Sequence, residues 1–317
     1  MSLYQTGNLI VDSHYNIFAN RLNAVWGAGS LSSGYGQSDT VPAVSVGTVI
    51  SASQWATLLA RITSAAAHQG TSIASITVPT VGTAIAALTA LDGNLVAIDV
   101  DRWNAVANGS DITAGGVGTR GTGWNSEITM TYTLTFASAN AARYFFNGGG
   151  QVRMNFSRAG GTAHAKNTDW TTLCSNCGTV VLTGGAGPAT IAGTTYTGTD
   201  KIGGSGTPVI LQSNLGYYDL TTVNQIVFRQ NSSNATYGYG GTGNRIQVEA
   251  RGNVVVPANI VTVTVRFVDG SPDTSIPSSL DVVDGTLTTN LILRPPSTTY
   301  LTNTWGIPTI SVNVSGS

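Results

Sequence analysis

The chain of 317 residues is long enough for two domains and a sizeable core. Only 9% of it is charged, against about 25% in an ordinary globular domain; with a net charge of −1 and no cluster of Lys and Arg, a nucleic-acid-binding surface is excluded. A hydrophobic content of 41% excludes a disordered polymer, so the surface must be covered by Thr, Ser, Asn and Gly or by other protein copies, which points away from a metabolic enzyme.

Met1-Ser2-Leu3-Tyr4-Gln5 has neither a basic nor an apolar signal region, so no signal peptide is expected. No run of about 18 apolar residues is present, and no membrane insertion is expected. Cys174 and Cys177 are too few for a disulfide scaffold.

The spacing of Tyr15, Phe18, Leu22 and Val25 predicts a first helix that starts at Asp12 or Ser13 and ends at Gly27 and Gly29. Ser51 and Gln54 form a capping-box pattern for a second helix. Its apolar face is Trp55, Leu58, Leu59, Ile62 and Ala66, and His68-Gln69-Gly70 closes it. A third helix is expected over residues 99–108, anchored by Trp103 and Val106. Residues 46–52 and 81–87 echo each other, which suggests a duplicated strand-turn-helix unit rather than a solenoid.

Residues 113–123 are Gly-rich and read as a linker. Beyond them Ile128, Met130, Tyr132, Leu134 and Phe136 alternate with threonines, the pattern of a half-buried strand with a Thr-covered outer face. A short helix is expected at 139–144. Asn147-Gly148 reads as a hairpin turn before a strand carrying Val152, Met154 and Phe156. Further strands are expected at 179–183, 225–229, 245–250, 260–268, 285–293 and 309–314.

The expected fold is therefore mainly β with a smaller helical N-terminal part: an antiparallel β-sandwich or jelly roll over the C-terminal two-thirds. Residues 1–112 form a helical docking or oligomerisation region, 113–123 a Gly-rich linker, and 124–317 the β-sandwich.

Chemistry-bearing motifs are few. Cys174-Ser-Asn-Cys177 has no second ligand pair for zinc, and His14, His68 and His164 are scattered; two buried core thiols at a helix end are expected. Gly116-Val-Gly-Thr-Arg-Gly121 fits a dinucleotide fingerprint by spacing alone, without the helix that must follow. Asp99 and Asp101, and Asp281 and Asp284, are close in sequence, but as turn formers and caps rather than a hydrolytic pair. Asp269-Gly-Ser-Pro-Asp273 lacks regular cation-ligand spacing and reads as a turn. No catalytic residue, cofactor or metal is expected. Tyr217, Tyr218, Tyr237 and Tyr239 bracket the Gly/Asn-rich stretch 231–244, either as a surface-recognition loop for sugar or protein or as a loop tip or subunit contact. Trp26, Trp55 and Trp103 are candidate core or oligomer anchors.

Tyr15-Asn16, Gly34-Tyr35-Gly36-Gln37, Ile50-Ser-Ala-Ser-Gln-Trp55 and His68-Gln69-Gly70 resemble the N-terminal half of virion structural proteins of tailed, cyanophage-like bacteriophages. Ala142-Arg-Tyr-Phe-Phe-Asn-Gly-Gly-Gly150, Val152-Arg-Met-Asn-Phe156 and Asn167-Thr-Asp-Trp-Thr-Thr172 before Gly178-Thr-Val-Val181 extend the resemblance over most of the chain. It implies a tail, baseplate or neck-associated fibre or adaptor acting by self-assembly and not by catalysis. Expected partners are copies of the chain, with a trimer favoured by family analogy, and other virion proteins. Location in the virion after assembly in the host cytoplasm is also implied. A glycan-binding module for host attachment and a capsid decoration protein are the alternatives.

Overall fold

A computed structural model of the chain describes residues 12–78, 88–237, 243–270 and 282–317. Helix α1 (Asp12–Trp26) buries Tyr15, Phe18, Leu22 and Val25, as their spacing requires. Helix α2 (Ala52–Gln69) opens on the expected capping box, in which Ser51 and Gln54 satisfy each other's backbone N–H groups. Gly70 closes it in the left-handed conformation at φ 72°. Ser51→Ala is expected to cost about 1 kcal/mol of stability, read from the midpoint of urea unfolding.

The third helix lies elsewhere than expected. Helix α3 (Leu88–Val100) buries Leu88, Leu91, Leu95 and Ile98, a 3-4-3 stripe packed with α1 and α2. Beyond Val100 the chain turns and runs extended, and Val106 donates its N–H to His68 O. The predicted helix at 99–108 is thus corrected: the leucine stripe directs the helix, and Trp103 packs outside it. The echoed residues 81–87 lie outside the described residues.

The linker is corrected too. Residues 117–120 form strand β1 (Val117–Arg120), which pairs antiparallel with β12 (Thr286–Arg294). The glycines around it serve close approach: a Cβ on Gly116 would strike Leu291 O, and one on Gly118 would meet the Tyr132 hydroxyl.

The remaining elements are β2 (Glu127–Thr135), α4 (Ala139–Asn147), β3 (Gln151–Ala159), α5 (Ala165–Cys177), β4 (Thr179–Leu182), β5 (Pro188–Ile191), β6 (Thr194–Thr197), β7 (Thr199–Ile202), β8 (Ile210–Leu211), β9 (Gln225–Asn231), β10 (Arg245–Gly252), β11 (Ile260–Val268) and β13 (Thr309–Gly316). Two antiparallel sheets result, β1-β12-β3-β4-β7 and β13-β2-β11-β10-β9-β8, with β5-β6 as a separate hairpin.

On β2, Ile128, Met130, Tyr132 and Leu134 are fully buried while the intervening threonines are half-buried, as the alternation predicts. The inner faces meet where Tyr132 donates to Thr289 O at 3.0 Å and where Phe156 contacts Phe267 at 6.0 Å. On one side the edge strands β1 and β13 abut, with Gly118 against Val312. On the other, Thr199 N–H of β7 donates to Gln212 O just past β8. Abutting edges limit the edge-to-edge pairing that so little charge would otherwise invite.

Asn147-Gly148 is not a hairpin turn. Asn147 is the last residue of α4, and its side chain is committed to the backbone of Gly34. Helix α5 covers an end of the sandwich, where Trp170 contacts Trp124 at 4.7 Å and Phe267 at 6.2 Å. One continuous apolar core runs from Tyr15 to Trp305 and joins the helical layer to both sheets.

Candidate functional site

A densely hydrogen-bonded polar region lies at the junction between the helical layer and the sandwich. Helix α4 is capped by Ser138, whose Oγ accepts from Ala141 N–H at 3.0 Å. That start sets Arg143 and Asn147, one turn apart, on the face that meets residues 27–37. Arg143 is only 5% exposed. Its guanidinium donates to Leu31 O at 2.7 Å, Ser33 O at 2.8 Å, Ala28 O at 3.2 Å and Asn140 Oδ1 at 2.8 Å. Asn147 Nδ2 donates to Gly34 O at 2.9 Å. Gly36 lies flat against the Tyr144 ring, which leaves no room for a Cβ.

The other side of the same loop is held as firmly. Tyr35 is fully buried; it donates to Arg102 O at 2.8 Å and accepts from Gln69 Nε2 at 2.7 Å. Burial raises its phenol pKa. Gln37 exchanges hydrogen bonds with the Thr302 backbone, accepting at 2.8 Å and donating at 3.1 Å. The His68 ring is fully buried, edge-on to Tyr35 at 5.0 Å. Desolvation pulls its pKa down to about 4, against a smaller raising influence from the Gly148 backbone, which neither ring nitrogen engages in well-formed hydrogen-bond geometry. The segments Gly34–Gln37, His68–Gly70 and Ala142–Gly150, far apart in sequence, thus converge at one place.

Tyr217, Tyr218 and Tyr237 do not stand as an exposed loop. Tyr217 is fully buried, stacks on Phe146 at 4.3 Å and donates to Ala258 O at 2.7 Å. Tyr218 belongs to the junction, its one hydroxyl hydrogen shared between Asn147 Oδ1 at 2.8 Å and Leu31 O at 2.9 Å. Tyr237 is buried, and Tyr239 lies outside the described residues. An apolar ring with a hydroxyl that reaches a backbone carbonyl suits an interior position, which corrects the exposed reading of Tyr217, Tyr218 and Tyr237. Trp26 and Trp55 are core residues at 2% exposure each. Trp103 is half-buried, stacked on Tyr218 at 6.4 Å and bonded through Nε1 to Ser32 O, so it too serves the junction.

Cys174 and Cys177 are buried, free thiols at the end of α5, as expected of core residues. Burial pushes Cys174 up to about 12 and Cys177 well above its ordinary value. Both are expected to react with maleimide at least about 100-fold slower than free cysteine until the protein is unfolded, as read by intact mass.

The carboxylates also act internally. Asp101 accepts from Thr71 Oγ1 at 2.8 Å, and Asp99 lies 3.9 Å from Arg102. Asp284 accepts from Thr162 and Asn167, which with the Arg158 charge draw its pKa down to about 2; Asp281 lies outside the described residues. Asp269 is no turn former: it is enclosed and paired with Lys166. Among the described residues no three His, Cys, Asp or Glu side chains gather as a metal site. A surface cleft of about 320 Å³ lies beside Arg158, lined by Thr162, Asn167, Thr168, Thr171 and Thr172.

The residues that hold the junction, chiefly Arg143, Asn147, Gln37 and Gln69, carry no chemical signature that marks them in sequence. Their signal is confined to the short motifs in which they stand. No protein-family model, curated protein or solved structure matches this chain.

Proposed function

We propose that the protein is a non-catalytic structural component of a bacteriophage virion, a tail, baseplate or neck-associated fibre or adaptor. It acts by assembling with copies of itself, a trimer being favoured, and with other virion proteins. The observation that carries this reading is the junction. Three of the motifs on which the phage resemblance rests, Gly34–Gln37, His68–Gly70 and Ala142–Gly150, meet there, and Arg143, Asn147, Tyr35 and Gln37 bond to backbone carbonyls rather than face a reaction cleft. Such a joint fixes the orientation of a helical layer on a sandwich, which is what an adaptor between two parts of a particle needs. The sparse charge of the chain is tolerable in a protein whose surface is covered by neighbours. Light scattering on the purified chain tests the proposal: a stable trimer or larger symmetric species supports it, and a monomer at micromolar concentration counts against it.

The hydroxyl-lined cleft beside Arg158 favours glycan binding as the second reading. Its position moves the candidate sugar contact from the tyrosines to Thr162, Thr168 and Thr172. Glycan-array binding lost in a Thr168→Ala, Thr172→Ala double variant supports it, and a silent array with folded protein removes it.

A further inference from the structure

The chain contains two lysines, Lys166 and Lys201. Lys166 lies in the first turn of α5 with its side chain fully enclosed. Its Nζ stands 2.6 Å from Asp269 Oδ2, whose side chain is also fully enclosed. Asp269 directly follows β11, and its backbone N–H donates to Ser126 O at 2.7 Å, so the carboxyl is carried on a fixed strand end. Phe267, two residues earlier and on the same side of the strand, packs at 6.2 Å against Trp170, one helical turn beyond Lys166. Trp170 in turn meets Trp124 at 4.7 Å, so an aromatic wall flanks the pair.

A fully enclosed pair of opposite charges is a poor source of stability, because the desolvation of both ions offsets their attraction. Passing the ammonium proton to the carboxylate is the step that makes the amine a nucleophile. The 2.6 Å separation holds the nitrogen in contact with the carboxyl group, the proximity that an intramolecular attack requires.

We propose that Lys166 and Asp269 join in an intramolecular isopeptide bond that forms spontaneously once the chain has folded. The neutral amine attacks Cγ of the protonated Asp269, forming the N–C bond. The nitrogen gives up a proton to the departing hydroxyl, the C–O bond breaks, and one water leaves. Ammonium and carboxylate are thereby converted into an amide and water, with no oxidant, metal or co-reactant. The amide ties the start of α5 to the end of β11, closing a covalent loop that contains β4 to β11. Load on the sandwich then passes through a covalent bond at that point.

Intact-mass measurement of the denatured full chain tests this. The expected mass is that of the sequence less one water, and tryptic digestion is expected to give one branched peptide joining the Lys166 and Asp269 segments, uncleaved after Lys166. Asp269 precedes Gly270, and an Asp-Gly succinimide also loses one water; Lys166→Arg separates the two. That variant keeps the positive charge opposite Asp269 but cannot condense, so it is expected to have the full sequence mass. A parent chain of full mass that is cleaved after Lys166, or a water loss retained in Lys166→Arg, overturns the proposal. The parent measurement decides the matter even where the variants fold poorly.

Discussion

Arg143→Ala is expected to lower the unfolding free energy by about 3–5 kcal/mol, since it leaves two buried carbonyls without a donor at roughly 1–3 kcal/mol each and removes the charge-assisted bonds. Four donor–acceptor contacts disappear with the guanidinium. Leu31 O retains the Tyr218 hydroxyl as a donor, but Ala28 O and Ser33 O lose the guanidinium at a buried junction. Arg143→Lys keeps the charge but not the planar fork, and cannot reach three carbonyls and an amide at once. It is expected to fall between the alanine variant and the parent. Arg251, on an exposed strand end, is the matched control, and its replacement is expected to stay within about 0.5 kcal/mol of the parent. Urea unfolding gives the free energies. Hydrogen exchange gives the location: backbone amides of residues 28–37 lose protection first if Arg143 is what holds that loop. An Arg143→Ala protein within 1 kcal/mol of the parent removes the junction's central role.

The same junction shows what the sequence makes legible and what it hides. Helices α1 and α2 announce themselves because local spacing and capping act within one or two turns. Strand β2 does so because one face is dry and the other is threonine. Helix α5 is invisible to that logic. Its buried positions include Lys166, Asn167 and Asp169 alongside Trp170 and Leu173, so no apolar stripe emerges. What keeps it helical is partners elsewhere: Asp284 for Asn167, and Ser232 and Asn244 for Asp169.

Helix α3 lies outside its expected range for a related reason. Asp-Gly is ordinarily a turn dipeptide, yet Gly93 faces open space in mid-helix and the flanking leucines are buried against α1 and α2. Strand β1 and the short strands β5 to β8 have at most four residues each, and lack an apolar run such as the Val180-Val181-Leu182 of β4 that marks a strand of that length. Gly116 and Gly118 mislead further, since close packing against β12 and β2 produces the same composition as a linker. For the junction itself, each contributing motif is visible in the sequence, while their meeting depends on long-range topology that no local pattern encodes.

Acid should weaken this protein first at His68. The unfolded imidazole titrates near 6.5, and burial holds the folded ring near 4. Between those values the unfolded chain binds a proton that the folded chain excludes, so stability rises with pH across the window. His68 therefore contributes no penalty above about pH 6.5, and stability drains away as the pH falls to about 4. The full loss is about 3 kcal/mol, from a shift of roughly two and a half pKa units at 1.36 kcal/mol each. The surroundings offer the new charge little relief. The Tyr35 ring edge and the Gly148 backbone face the imidazole, while Asp101 is bonded to Thr71 and Arg102 and Arg143 add positive charge to the same junction.

Other shifted groups separate cleanly from this one. Asp284, held near 2, loses its contribution only as the pH falls from about 4 towards that value. Asp169, raised by burial, acts in the opposite sense, favouring the folded state as the pH falls, and does so equally in parent and variant. His68→Phe keeps a ring against Tyr35 and removes the titration. Urea midpoints at pH 4, 5, 6 and 7 are expected to slope steeply in the parent and to flatten in the variant, whatever the offset between them. Parallel slopes would place the acid sensitivity elsewhere. Because His68 sits where the helical layer meets α4, the structural counterpart is loss of exchange protection at residues 34–37 and 68–70 ahead of the sheets, a local opening of the joint before the sandwich itself yields.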